Sequence, residues 1–216
     1  MNLRELLFLA ADLSLMLVSA FYGAKFLRKG NLPIGLELWV VALSTGNVLV
    51  AFLTNHLEFL LLSEYLDAFS RSVGYPIIVT AGLLAVTHGF RASALTDIVL
   101  FAGGGIIAAI YTWGGLPAGF RAYSLLIVWT AYSVYLLWIA KRLWTAGEKR
   151  QALNTVLYTL AAQIIATIYD FWPIPGDDSL RTIFFTFAMF AWAYQTAGLY
   201  PTYCALERTQ GGLRAR

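Results

Sequence analysis

Long apolar runs separated by short polar breaks dominate this chain. The runs fall at roughly 3–26, 35–60, 71–90, 93–113, 120–144, 152–172 and 180–204. A helix needs about 20 mostly apolar residues to cross the hydrocarbon core, so each run is a candidate span. Gly, Pro and charged residues punctuate the breaks: Gly30, Asn31 and Pro33 in the first, Gly114, Gly115 and Pro117 in the fourth, Pro175, Gly176, Asp177 and Asp178 in the sixth. The pattern predicts an all-α, polytopic integral membrane protein: a seven-helix bundle over residues 1–207, with a polar tail at 208–216. Residues 35–54 are long enough to span alone, which would leave 55–66 as an amphipathic surface turn.

Composition strengthens this reading. Of 216 residues, 59% are apolar and only 12% charged, and the mean hydropathy is +0.68. Soluble domains carry about 25% charged residues, so a chain this apolar lacks the polar surface to coat itself in water. A soluble globule, a disordered chain, a coiled coil and a nucleic-acid reader are all excluded, and the expected surroundings are membrane lipid. Arg4 is offset by Glu5 and Asp12 interrupts the first apolar run, so that segment reads as a retained helix, not a signal peptide.

The net charge of +3 sorts by side. Lys25, Arg28, Lys29, Arg91, Lys141, Arg142, Lys149, Arg150, Arg208, Arg214 and Arg216 fall on one face of a seven-span topology, against Arg4, Arg71, Arg121 and Arg181 on the other. The positive-inside rule then puts the N-terminus outside and the C-terminus in the cytoplasm, as in a bacterial inner membrane. A parallel repeat is expected at an offset of 116 residues. Lys25 and Lys141 both sit in Ala-Lys-x-Leu, Thr80-Ala81-Gly82-Leu83 recurs as Thr196-Ala197-Gly198-Leu199, and Asn47 aligns with Gln163. The fourth helix would then be a linker in a 3+1+3 plan.

That plan resembles sugar-efflux carriers of the SWEET and PQ-loop type, vitamin-uptake carriers of the nicotinamide riboside type, and microbial opsins. The resemblance is one of architecture. Pro76 is followed by Ile77 and not Gln, and the seventh helix holds no lysine for a retinal Schiff base. No family is assigned on it.

Polar residues inside a bilayer are costly and mark function by default. Asp12, near the middle of helix one, is the leading candidate for proton coupling or ligand binding. Asn47, Thr80, Gln163 and Thr196 are expected to form a polar ring at mid-depth, with Gln195 and Trp192 beside it; the competing reading is interhelical hydrogen bonding alone. Pro76 and Pro201 are candidate hinges. Gly103-Gly104-Gly105 predicts close helix packing. His56, Glu58, Glu64, Asp67 and Arg71 read as a solvated rim. His56 and His88 are expected at opposite ends of the third span, which argues against a haem pair. No metal or other cofactor is expected.

Tyr169-Asp170 and Gly176-Asp177-Asp178 faintly echo an intramembrane aspartyl protease, but the second aspartates fall in a Pro-rich turn. The function expected is therefore a non-enzymatic carrier that moves a small solute through a central cavity. A ligand-binding sensor without retinal and a non-catalytic subunit of a larger complex or homo-oligomer are the alternatives.

Overall fold

In the computed structural model, residues 2–56, 58–89 and 93–214 are described, with side chains up to residue 209. Among them there are seven helices and no strand: α1 (Leu3–Arg28), α2 (Leu32–Thr54), α3 (Glu58–Thr87), α4 (Ala94–Trp113), α5 (Ala118–Thr145), α6 (Lys149–Tyr169) and α7 (Thr182–Arg214). The first six are long and apolar enough to cross a membrane. The 33-residue α7 falls outside that set; its apolar run is interrupted by Trp192, Tyr194, Gln195 and Thr196.

The helix starts follow from local chemistry. At α1 the Asn2 side chain accepts from the Glu5 N–H while the Glu5 carboxylate accepts from the Asn2 N–H, a reciprocal cap. Asn31 caps α2, with Pro33 in the first turn. Asp177 accepts from the N–H groups of Ile183 and Phe184 at 2.8 and 2.9 Å, and Asp178 from that of Thr182 at 3.0 Å. The aspartates of Gly176-Asp177-Asp178 thus cap the last helix. The Thr182 contacts hold the Asp178 carboxyl below the usual carboxylate range. Its share of the cap is therefore complete at neutral pH and fades only as pH falls through that lowered value.

Two boundaries depart from the sequence expectation. The predicted second helix at 35–60 ends instead at Thr54, where Asn55 takes a left-handed conformation (φ 57°). Residues from Glu58 onward begin α3 rather than a surface turn; of the expected solvated rim, His56, Glu58 and Glu64 are exposed while Arg71 is buried. At its other end, the predicted limit of that helix at 90 lies outside the described residues, as do Arg91 and Arg216 of the charge count and the side chain of Arg214. The last helix continues to Arg214, within the segment expected as a tail. Within α3, residues Ser70–Val79 are wound as a π-helix that contains Pro76. Such stretches are frequent at functional sites.

The helices close into a ring. α1 packs on α2 and α7, α2 on α3, α3 on α5, α5 on α6, and α6 on α7. α4 lies outside this ring against α3, burying only Gly104 and Ala108. The triple glycine serves that contact unequally. A side chain at Gly104 would strike Phe69, and the Gly105 carbonyl accepts from the Tyr65 hydroxyl at 3.2 Å, while Gly103 faces open space. Towards the end holding the α1–α2 turn, Phe26, Ile34, Leu83, Leu143 and Leu199 are buried in one apolar core.

Asn31 joins two of these elements. Its amide donates to the Gly82 carbonyl at 2.9 Å and its oxygen accepts from the Ile34 N–H at 3.3 Å. Asn31→Ala is expected to destabilise the protein by about 1–2 kcal/mol, read as a lower thermal unfolding midpoint in detergent.

Candidate functional site

A cavity of about 970 Å³ opens at the opposite end of the ring, where α1 begins. Its wall follows α1 from Asn2 to Leu15, α2 from Asn55 back to Val41, α3 from Leu60 to Tyr75, and α7 from Thr182 to Trp192. Trp129 closes it from the middle of α5 and Tyr169 from the end of α6. Thirteen residues of helix rise about 20 Å, so the cavity reaches to mid-bundle.

Halfway down stands a buried charged cluster. The Arg71 guanidinium pairs with Asp170, lies 3.7 Å from Asp67, and sits 3.4 Å from the centre of the Tyr169 ring. The Tyr169 hydroxyl donates to Asp67 at 3.0 Å. Helices α3 and α6 supply these groups, and the cluster ties them together. Nearer the mouth Arg4 faces Asp178 at 3.5 Å.

The inner end is aromatic. Tyr75 and Trp129 stack at 5.7 Å, and Tyr132 meets both edge-on at 6.2 and 5.8 Å. The Tyr75 hydroxyl shares a 2.5 Å hydrogen bond with Thr196. Around this floor several buried polar atoms have no protein partner: the indole nitrogens of Trp129 and Trp192, the hydroxyls of Ser70 and Tyr132, both carboxyl oxygens of Asp12 and of Glu37, and both amide atoms of Gln195. Buried polar groups are almost always paired, because leaving one unpaired costs on the order of 1–3 kcal/mol. Three of these residues, Ser70, Trp129 and Trp192, line the cavity, where a bound molecule could complete them; the others are packed behind its lining.

Glu37, in the second turn of α2, is fully buried. It faces Ser70 without a formed hydrogen bond. Room for its carboxyl comes from Gly74, where a methyl group would collide with both oxygens. The glycine lies within the π-wound stretch, so the irregular turn and the missing side chain together admit the acid.

The residues predicted from sequence are placed differently. Asp12 is fully buried, one turn from Leu15 in the wall. Asn47 donates to the Leu43 carbonyl of its own helix at 2.7 Å, and Thr80 to that of Pro76 at 2.8 Å. Gln163 accepts from Ser133 at 2.7 Å and so links α5 to α6. Thr196 reaches Tyr75, and Gln195 is buried beside it. The four expected ring members do not meet around the cavity; of the predicted ligand-contacting set, Trp192 alone lines it. Two of them satisfy their own helix backbone and a third satisfies a neighbouring helix, which is what isolated polar side chains do in an apolar bundle. Pro76 lies in the π-wound stretch. Pro201 lies inside α7, next to Thr202, which accepts from Gln151 at 2.8 Å.

Sequence reading missed Glu37 and the Arg71 cluster. Glu37 carried the signal that singled out Asp12, an acid inside an apolar run. Arg71 and Asp170 are 99 residues apart in the chain, and nothing local connects them. His56 and Glu58 pair at 2.9 Å at the exposed end of α3, while His88 stacks on Trp138 at the other. Among the described residues no group of three or more His, Cys, Asp or Glu is arranged to hold a metal ion.

The fold and cavity together define a helical membrane protein with a polar and aromatic chamber open at one end. Comparison with protein-family models, with curated proteins and with solved structures found no match.

Proposed function

We propose that the protein is a membrane carrier that binds a small solute in this cavity and passes it by alternating access. The observation that carries the reading is the pairing of a chamber open at one end, its wall holding the unpartnered polar atoms of Ser70, Trp129 and Trp192, with a largely apolar buried core towards the other. A carrier held in one of its two access states has this form. Pockets of several hundred Å³ suit a small organic solute.

An internal duplication supports it. Shifted by 116 residues, α1 falls at 119–144 and α2 at 148–170, against the observed Ala118–Thr145 and Lys149–Tyr169. The neighbour relations also repeat, since α3 meets α5 as α7 meets α1. Gly82 of α3 abuts Asn31 and Ile34 at the start of α2, and Gly198 of α7 abuts Tyr158 of α6. Parallel repeats about an axis along the membrane normal place a substrate site at their interface, with α4 as the connecting helix. In this reading Pro76 and Pro201, on the third helix of each half, are where the halves flex. The Lys and Arg distribution supports an N-terminus, and with it a cavity mouth, on the outside.

Asp12 is the proposed proton-coupling group. Asp12→Asn is expected to abolish solute uptake driven by a pH gradient in proteoliposomes while leaving the unfolding midpoint within about 1 kcal/mol of wild type, since the two side chains have nearly equal volume. Unchanged gradient-driven uptake would remove the coupling role.

A further inference from the structure

Resting on the reading of the cavity as a solute site, we infer that its ligand is an organic cation: a substituted ammonium group seated on the Tyr75–Trp129 floor, with Glu37 as its counter-charge. The charges already matched lead there. Arg71 is held by Asp170, Asp67 and the Tyr169 face, and Arg4 lies against Asp178, so both cations of the wall have anionic partners. Behind the inner wall the case is different. Glu37 is buried with both oxygens unpartnered, and no cation of the wall reaches it. An acid so placed carries its charge only when a cation stands opposite it, so the inner end of the chamber favours a positively charged ligand.

The surroundings of Glu37 decide what kind of cation fits. Tyr75 and Trp129, both nearly fully buried, line the cavity, and aromatic faces attract alkylammonium groups within about 6 Å by their quadrupole. The chamber is far larger than a bare ion needs. The free indole N–H of Trp129, itself buried, and the free Ser70 hydroxyl both lie in the wall. They supply hydrogen-bond donors for an oxygen elsewhere on the same molecule. Glu37 sits behind Ser70 and Gly74, so the attraction acts across the π-wound turn of α3.

Isothermal titration of the full-length protein in lipid nanodiscs tests this with four probes. Choline and tetraethylammonium carry the charge, 3,3-dimethylbutan-1-ol is the neutral shape-mate of choline, and 3,3-dimethylbutanoate carries the opposite charge. At least one cation is expected to bind tenfold or more tighter than both the neutral and the anionic probe. Glu37→Gln is expected to erase that preference while keeping the neutral probe's affinity. Trp129→Leu, which leaves the carboxyl in place, is expected to weaken the cation at least fivefold and the neutral probe less than twofold. Equal binding of all probes, tighter binding of the anion, binding of none, or an unchanged preference in both variants would each overturn the inference. Cation binding without uptake into proteoliposomes would contradict the carrier reading and leave this one standing. Uptake of neutral or anionic solutes alone would do the reverse.

Discussion

Arg71→Ala is expected to destabilise the protein by about 3–5 kcal/mol, because it strips the counter-charge from a buried ion cluster. Asp67 and Asp170 would be left facing each other beside Tyr169 with no cation between them, in a setting where water cannot fully replace it. The loss should appear as a lower midpoint in both thermal and SDS unfolding. Neutralising the survivors separates this cause from lost packing: Arg71→Ala combined with Asp67→Asn and Asp170→Asn should recover more than half of the deficit. Arg71→Lys should fall between wild type and alanine, since an ammonium keeps the charge but lacks the planar fork that pairs with Asp170 while lying on the Tyr169 ring. A near-neutral Arg71→Ala would mean that the cluster is solvated and does not tie α3 to α6.

Gly74→Ala is expected to cost about 1–3 kcal/mol, the range for inserting a methyl group into a packed interior. The added carbon has no free space, because both Glu37 carboxyl oxygens occupy it. Either the acid is driven from its place beside Ser70 or α2 and α3 separate. Shortening the acid should relieve the clash, so Glu37→Ala is expected to be far less harmful in a Gly74→Ala background than alone. The double-mutant cycle should show a coupling of about 1 kcal/mol or more. Additive effects would show that the two residues do not touch, and that the π-wound stretch of α3 is not shaped around the carboxyl.

Much of the bundle was legible in the chain because lipid-crossing helices announce themselves by length and apolarity. The first helix, read at 3–26, runs Leu3–Arg28, and the fifth, read at 120–144, runs Ala118–Thr145. The reading faltered at the start of α3 for an instructive reason. Glu58, Glu64, Asp67 and Arg71 make that segment look like a solvated turn, yet three of these four line the interior chamber. Polarity within a span marks what faces water, and a water-filled cavity is as good a reason for it as the membrane surface. The site was less legible than the fold. Asp12 stood out as an acid in an apolar run, and Glu37 followed the same rule unnoticed, so one pass for charges inside spans would have found both. The partners of Arg71 come from two helices distant in sequence, and Gly74 makes room for Glu37 only once α2 and α3 are in contact. Neither relation leaves a local trace. The repeat offset placed Asn47, Thr80, Gln163 and Thr196 at related depths, but depth does not fix which way a side chain faces, and all four bond to their own or another helix.

Cysteine accessibility tests the chamber itself most directly. The chain has one native cysteine, Cys204, so a Cys204→Ser background admits a single reporter. Met189→Cys places it on the cavity wall well inside the ring, and Asn2→Cys, in a separate variant, reports which side of the membrane bears the mouth. A small membrane-impermeant thiosulfonate is predicted to modify Met189→Cys from the same side as Asn2→Cys and not from the other. Reaction only from the opposite side, or none while Asn2→Cys reacts, would contradict a chamber open at that end.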